Sequence, residues 1–168
     1  MLENIRGAEP APTAADMDRV ATELGVKFNE EYREFIAHHN GGHVDDNIFD
    51  IPPDNNSGVD GIVPLERLTY VHGLFANETG PDIIPIMSDG SGNYVCMDMS
   101  GRNDGAVYFL DHEIAGPEAL TLLAPSLNAF LAAVRPDDAE VDSDASHIIS
   151  VWVHPDLQKI IDEQKKKK

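Results

Sequence analysis

Three stretches of this chain carry residue types that could do chemistry. His38-His39-Asn40-Gly41-Gly42-His43 offers three imidazoles, common ligands of zinc-like ions. The spacing works against a shared ion. His38 and His39 are neighbours on an expected helix and diverge by about 100° around its axis. Neither a His-Glu-x-x-His motif nor a paired-cysteine motif occurs. Asp89-Gly90-Ser91-Gly92 has the acid and the small residues of a phosphate or calcium loop. It lacks the Lys-Ser/Thr of a P-loop and the spaced acids ending in Glu of an EF-hand, so it reads as a tight turn between strands. Ser91 is not set in Gly-x-Ser-x-Gly. Cys96, between Val95 and Met97, reads as a small core residue rather than a nucleophile. No catalytic constellation emerges, and no enzyme activity, metal or cofactor is expected.

Carboxylates are the other candidates. Asp45, Asp46, Asp50, Asp54 and Asp60 cluster along the first strands and their loop, and Asp111 and Glu113 close a later strand. As general acids or bases they have no positional support. As a negative patch for a cationic partner they are plausible, and as plain surface solvation equally so. The whole chain has 30 acidic against 12 basic residues, a formal net charge of −18. Four of the twelve are Lys165–Lys168, so the rest is more acidic still. Such a chain repels phosphate backbones, which argues against direct nucleic-acid binding, and is steered toward basic partners. No apolar run approaches the roughly 20 residues that span a bilayer. The first residues have neither a basic patch nor an apolar stretch like a signal peptide's. With one cysteine, a reducing compartment fits, and a cytoplasmic location is expected.

The elements that must position these residues follow from local signals. Residues 1–12, with Pro10 and Pro12, read as a flexible leader. Thr13 caps a helix with Asp16 at N3, buries Met17, Val20, Ala21 and Leu24, and stops at Gly25. Asn29 caps a second helix with Tyr32, Phe35, Ile36 and His39 on one face, and Asn40-Gly41-Gly42 ends it. The alternation from His43 to Ile51 reads as a strand, 54–58 as a loop, 59–63 as a second strand and 64–76 as a helix. Ile83–Met87, Tyr94–Met99 and Ala106–Leu110 form an antiparallel meander. Pro125 at N1 opens a helix with Leu127, Phe130, Leu131 and Val134 inward, and Pro136 stops it. This pattern is α+β, a sheet flanked by helices at both ends of the chain. The expected domain covers 13–136. An acidic linker, 137–146, leads to a strand–helix extension, 147–168, that contains the one Trp and is expected to dock on the domain.

Four blocks, in order, resemble the SUKH superfamily, which includes the fungal Smi/Knr cell-wall-synthesis regulators and many bacterial immunity proteins. The first is Phe28-Asn29-Glu30-Glu31-Tyr32 with its helix and Asn40-Gly41-Gly42, where Phe28-Asn29 replaces the usual Leu-Pro. The second runs from Ile83 through Asp89-Gly90-Ser91-Gly92 to Tyr94. Gly105–Glu113 and Leu123–Leu131 resemble the family's next strand and closing helix. The resemblance implies a SUKH-like fold with a mixed sheet and a non-enzymatic immunity protein that neutralises a cognate toxin domain, often a nuclease. A regulatory or scaffolding module is the alternative. The resemblance further implies that Tyr32, Asn40, Gly41, Gly42, Gly90 and Gly92 are structural motif residues, Asn40 and the four glycines shaping turns. The acidic residues named above would be the partner contacts.

Overall fold

The computed structural model describes residues 5–45, 47–103 and 105–137. The acidic linker and the strand–helix extension lie outside them, apart from Asp137. The first helix, α1, spans Ala14–Leu24. Thr13 Oγ1 accepts from the Asp16 amide (3.2 Å) while Thr13 N donates to Asp16 Oδ2 (3.1 Å), satisfying two orphan donors of the first turn. Met17, Val20, Ala21 and Leu24 are its buried stripe, and Gly25 closes it at φ +74°. In α2, Glu30–His39, Asn29 Oδ1 accepts from Tyr32 N (3.0 Å), and Tyr32, Phe35 and Ile36 are buried. His39 is only partly covered, its ring 5.3 Å from that of Phe35.

The expected leader is not free. Ile5–Arg6 forms a short strand, β1, antiparallel to β2, His43–Val44. Asn40 ties it down further: its backbone oxygen accepts from Glu9 N (2.7 Å) and its Nδ2 donates to Pro10 O (3.1 Å). The expected strand from His43 to Ile51 is two strands in two sheets. It breaks after Val44, and β3, Asn47–Ile51, pairs with β4, Asn55–Ser57, where a loop was expected. β5 is Gly61–Ile62. A 3-10 turn, Leu65–Arg67, leads into α3, Leu68–Thr79. The meander is present as β6, Ile83–Ser88, β7, Tyr94–Asp98, and β8, Val107–Leu110.

A second 3-10 turn, Gly116–Ala119, then feeds β9, Leu120–Ala124, an edge strand that the sequence pattern did not reveal. Pro125 therefore lies before the cap rather than at N1. Ser126 Oγ accepts from Ala129 N (3.1 Å) to cap α4, Leu127–Ala133. Leu127 and Phe130 are buried and Leu131 only partly so. The N-terminus of α4 is also held from afar. Glu31 of α2 accepts from Leu127 N (3.1 Å) and Asn128 Nδ2 (2.9 Å).

The chain folds as α+β. A seven-stranded sheet has the order β1-β2-β5-β6-β7-β8-β9, and a smaller one the order β10-β3-β4, where β10 is Arg135–Pro136. Every pairing among the described strands is antiparallel, in keeping with the expected antiparallel or mixed sheet and with the expected meander. Strand alternation sorts the central residues by face. Val95, Met97, Val107 and Phe109 join α1, α2 and α4 in the principal core. Cys96 and Leu110 form a small cluster with Ala119, against which Phe75 of α3 packs.

Candidate functional site

The turn joining β6 to β7, residues 89–93, gathers groups from three other segments. Asp89 organises it. Its Oδ1 accepts from the amides of Ser91 (2.8 Å) and Asn93 (3.0 Å), and its Oδ2 accepts from Asn93 Nδ2 (2.8 Å) and from Ser57 Oγ of β4 (3.2 Å). Asn93 Oδ1 in turn accepts from the amide of His112 (3.1 Å) and from its Nδ1 (2.7 Å), so the turn is tied to the loop after β8. Two glycines permit these approaches. A Cβ on Gly90 would stand 3.2 Å from Asp60 Cβ, and one on Gly92 would stand 3.1 Å from His112 Cε1. Both have positive φ, +74° and +104°, which a side chain would disfavour.

Around this turn lie four of the sequence-predicted acids. Asp60 sits beside Gly90 with half its side chain exposed, and His43 Nδ1 is 3.5 Å from its Oδ1. The other ring nitrogen of His43 lies 3.3 Å from Asp45 Oδ1, so one imidazole bridges the two carboxylates. Asp45 also pairs with Arg6 of β1. Asp111 and the exposed Glu113 flank His112, and Asp111 Oδ1 accepts from Glu113 N (2.9 Å). Asp45, Asp60, Asp89, Asp111 and Glu113 thus belong to one linked ridge. Asp89 had been read only as a turn residue, and His43 and His112 only as an uncommitted imidazole and a strand end.

The remaining acids lie elsewhere. Asp50, on β3, is exposed and pairs with Arg135 of β10 (2.8 Å). Asp54 is exposed at the tip of the β3–β4 hairpin, and Asp46 is outside the described residues. Electrostatically, the ridge is a row of carboxylates interrupted by one exposed guanidinium, Arg6, and two imidazoles. It has the character of a surface for cations.

The motif residues have other surroundings. Tyr32 is fully buried, its ring edge-on to Phe28 at 4.8 Å, and its hydroxyl finds no hydrogen-bond partner among the described residues. Burial pushes the Tyr32 phenol well above its ordinary range. Asn40 is buried, and its Oδ1 accepts from Leu65 N (2.9 Å), so it joins α2 to the turn that opens α3. Gly41 and Gly42 form the turn from α2 into β2.

The imidazole run does not converge. His38 Nδ1 bonds Glu34 O (2.8 Å) on the exposed side of α2, while His43 is committed to the ridge. Among the described residues, no three His, Cys, Asp or Glu side chains come together as a metal site. Cys96 is wholly buried, which raises its thiol pKa far above the usual range and disfavours a nucleophilic thiolate. Asp98, a buried carboxylate, accepts from Ser100 N (2.7 Å) and so shapes its own turn. Among the described residues, no helix is long and apolar enough to cross a membrane.

The family comparison agrees with the motif blocks. Over 77 residues, 45% of this chain, it is 32% identical to the SPbeta prophage-derived uncharacterized protein YokK of Bacillus subtilis (strain 168). The match covers 38% of that relative's length. The SMI1 / KNR4 family (SUKH-1) profile matches residues 11–133, from the residues before α1 to the end of α4. The chain belongs to the SMI1 / KNR4 family (SUKH-1).

Proposed function

We propose that this chain is a non-enzymatic immunity protein, the antidote of a toxin domain with a basic, phosphate-handling surface such as a nuclease's. The observation that carries the reading is the linked ridge of Asp45, Asp60, Asp89, Asp111 and Glu113 in a chain of net charge −18. A nuclease cleft is lined by cations that hold phosphates, and carboxylates at similar spacing can occupy it without reacting. The summed negative field would also draw the two proteins together fast, which an antidote needs. Family membership supports this reading, since the superfamily that the chain resembles includes many bacterial immunity proteins. Asp50 and Asp54 would be peripheral contacts, Asp50 already being paired with Arg135.

The test is capture from the native cell with the full chain as bait, at low salt and at about 0.5 M, where screening collapses surface electrostatics. A basic toxin domain held at low salt, released at high salt and inactivated by added chain is the expected outcome. Housekeeping proteins alone, at both salts, would instead favour the regulatory module that the family's cell-wall-regulator branch suggests.

A further inference from the structure

Next to the acidic ridge, α3 leaves part of its outer face apolar. Tyr70 is 65% exposed and Leu74 53%. Four residues apart, they stand one above the other on the same side of the helix. The fold does not need them there, because Leu68, Val71 and His72 make the helix's buried contacts. Their neighbours on the outer face are Thr69, Gly73, Asn77 and Glu78, small or polar residues as water demands. Gly73 has nothing within 4 Å of the place a Cβ would occupy, so the Tyr70–Leu74 step is unobstructed. Ile114, 43% exposed, stands in the loop leading to the 3-10 turn that packs on α3.

The helix that carries this face packs beside the acidic turn. Phe75 of α3 packs against Tyr94, ring centroids 5.2 Å apart, and Tyr94 directly follows the acidic turn of residues 89–93, while the exposed Arg67 stands just before α3. Asp89 is the residue on which the ridge is built. Exposed Tyr and Leu beside a polar, charged margin have the composition of an interface centre and its rim. Buried tyrosines at such centres carry a disproportionate share of binding energy. The charge of the rim states the chemistry of the partner: it must be cationic where it faces Asp60, Asp89, Asp111 and Glu113.

We infer that the Tyr70–Leu74 face of α3 is the apolar anchor of the contact with the basic toxin domain, seated in a dry depression beside that domain's cations. This rests on the antidote reading above and adds the contact face and a division of labour to it. The carboxylates set the rate of encounter and its salt dependence, and the anchor sets how long the complex lasts.

The probe is the toxin domain named by the capture experiment, purified with its catalytic residue replaced and titrated against the full chain at several salt concentrations. Tyr70→Ala/Leu74→Ala should weaken binding by roughly 30-fold or more, through faster dissociation, with the wild-type salt slope. Asp60→Asn/Asp111→Asn/Glu113→Gln should slow association and flatten the salt slope. Leu122→Ala, at an equally exposed position on the edge strand β9, should bind as the wild type does. All the substituted side chains but Asp111 are largely exposed, and unchanged thermal unfolding would show each variant folded. If Tyr70→Ala/Leu74→Ala binds like wild type while the carboxylate variant weakens, the anchor is overturned and the antidote reading stands. If the wild-type chain binds no basic toxin domain at any salt, the antidote reading falls and takes the anchor with it.

Discussion

On one face of the central strands, Val95, Met97, Val107 and Phe109 sit in a continuous core with residues of α1, α2 and α4. Phe49 of the smaller sheet closes that core, its ring 5.2 Å from Phe130 and 6.2 Å from Phe109. On the other face, among the described residues, the buried cluster is Cys96, Leu110 and Ala119, with Phe75, Ile83, Tyr94 and Leu120 partly covered around it. The same alternating strands supply both faces, yet among the described residues one face carries a far larger buried core than the other. α3 bridges the two: Leu68 and Val71 belong to the larger core, Phe75 packs against both clusters, and Tyr70 and Leu74 stay exposed. Exposed residues there can be exchanged without unseating the larger core.

Breaking that comparison is straightforward. Phe49→Ala should cost about 3–5 kcal/mol in urea denaturation, because the rings of Phe109 and Phe130 lose their common neighbour. Leu110→Ala, in the smaller cluster, should cost nearer 2 kcal/mol, at the low end for a buried leucine. Equal losses at the two positions would show that the faces are energetically alike. Small does not mean wet, however. Cys96 should stay unlabelled by a thiol reagent in the native protein and react on unfolding, and native labelling would show the cluster open to water.

A smaller effect sharpens the view of the larger core. Tyr32→Phe removes a buried hydroxyl that has no partner among the described residues and should raise stability by about 1 kcal/mol. A loss instead would reveal a partner, such as an ordered water. The smallest effect is a pH slope. Burial lowers the pKa of His72 from 6.5, opposed by the bond between its Nε2 and Pro81 O and by Asp82. The unfolded chain therefore takes up this proton first, so stability is full above pH 6.5 and is lost as pH falls below it. His72→Gln should flatten that part of the stability–pH curve. His39, lowered by its own burial and by His38, would retain the rest.

The parts legible in the sequence have local causes. Thr13, Asp16 and Gly25 announce α1 within its own length, and Asn29 does the same for α2. Short β-prone runs between Gly turns announce the meander. What escaped depends on distant partners. Ile5–Arg6 is a strand only because Val44 and His43 pair with it. Asn55–Ser57 hides in a polar run because only its backbone is needed by β3. Leu120–Ala124 lacks clean alternation and runs straight into the cap of α4. The acidic candidates fared likewise. Their abundance was plain, but the meeting of Asp60 with the β6–β7 turn, and the loss of Asp50 to Arg135, are tertiary facts.

Glu31 gives the domain a timetable. It caps a helix that begins at Leu127, nearly a hundred residues later, and that helix has only seven residues. So short a segment does not hold its shape alone in water. Next along the chain, Arg135 and Pro136 complete the small sheet against Ile48 and Asn47. A nascent chain on the ribosome can form α1, α2 and the meander early. It cannot close over Phe49 until residue 136 has emerged, and until then its larger core stays open to whatever chaperone or neighbour is near.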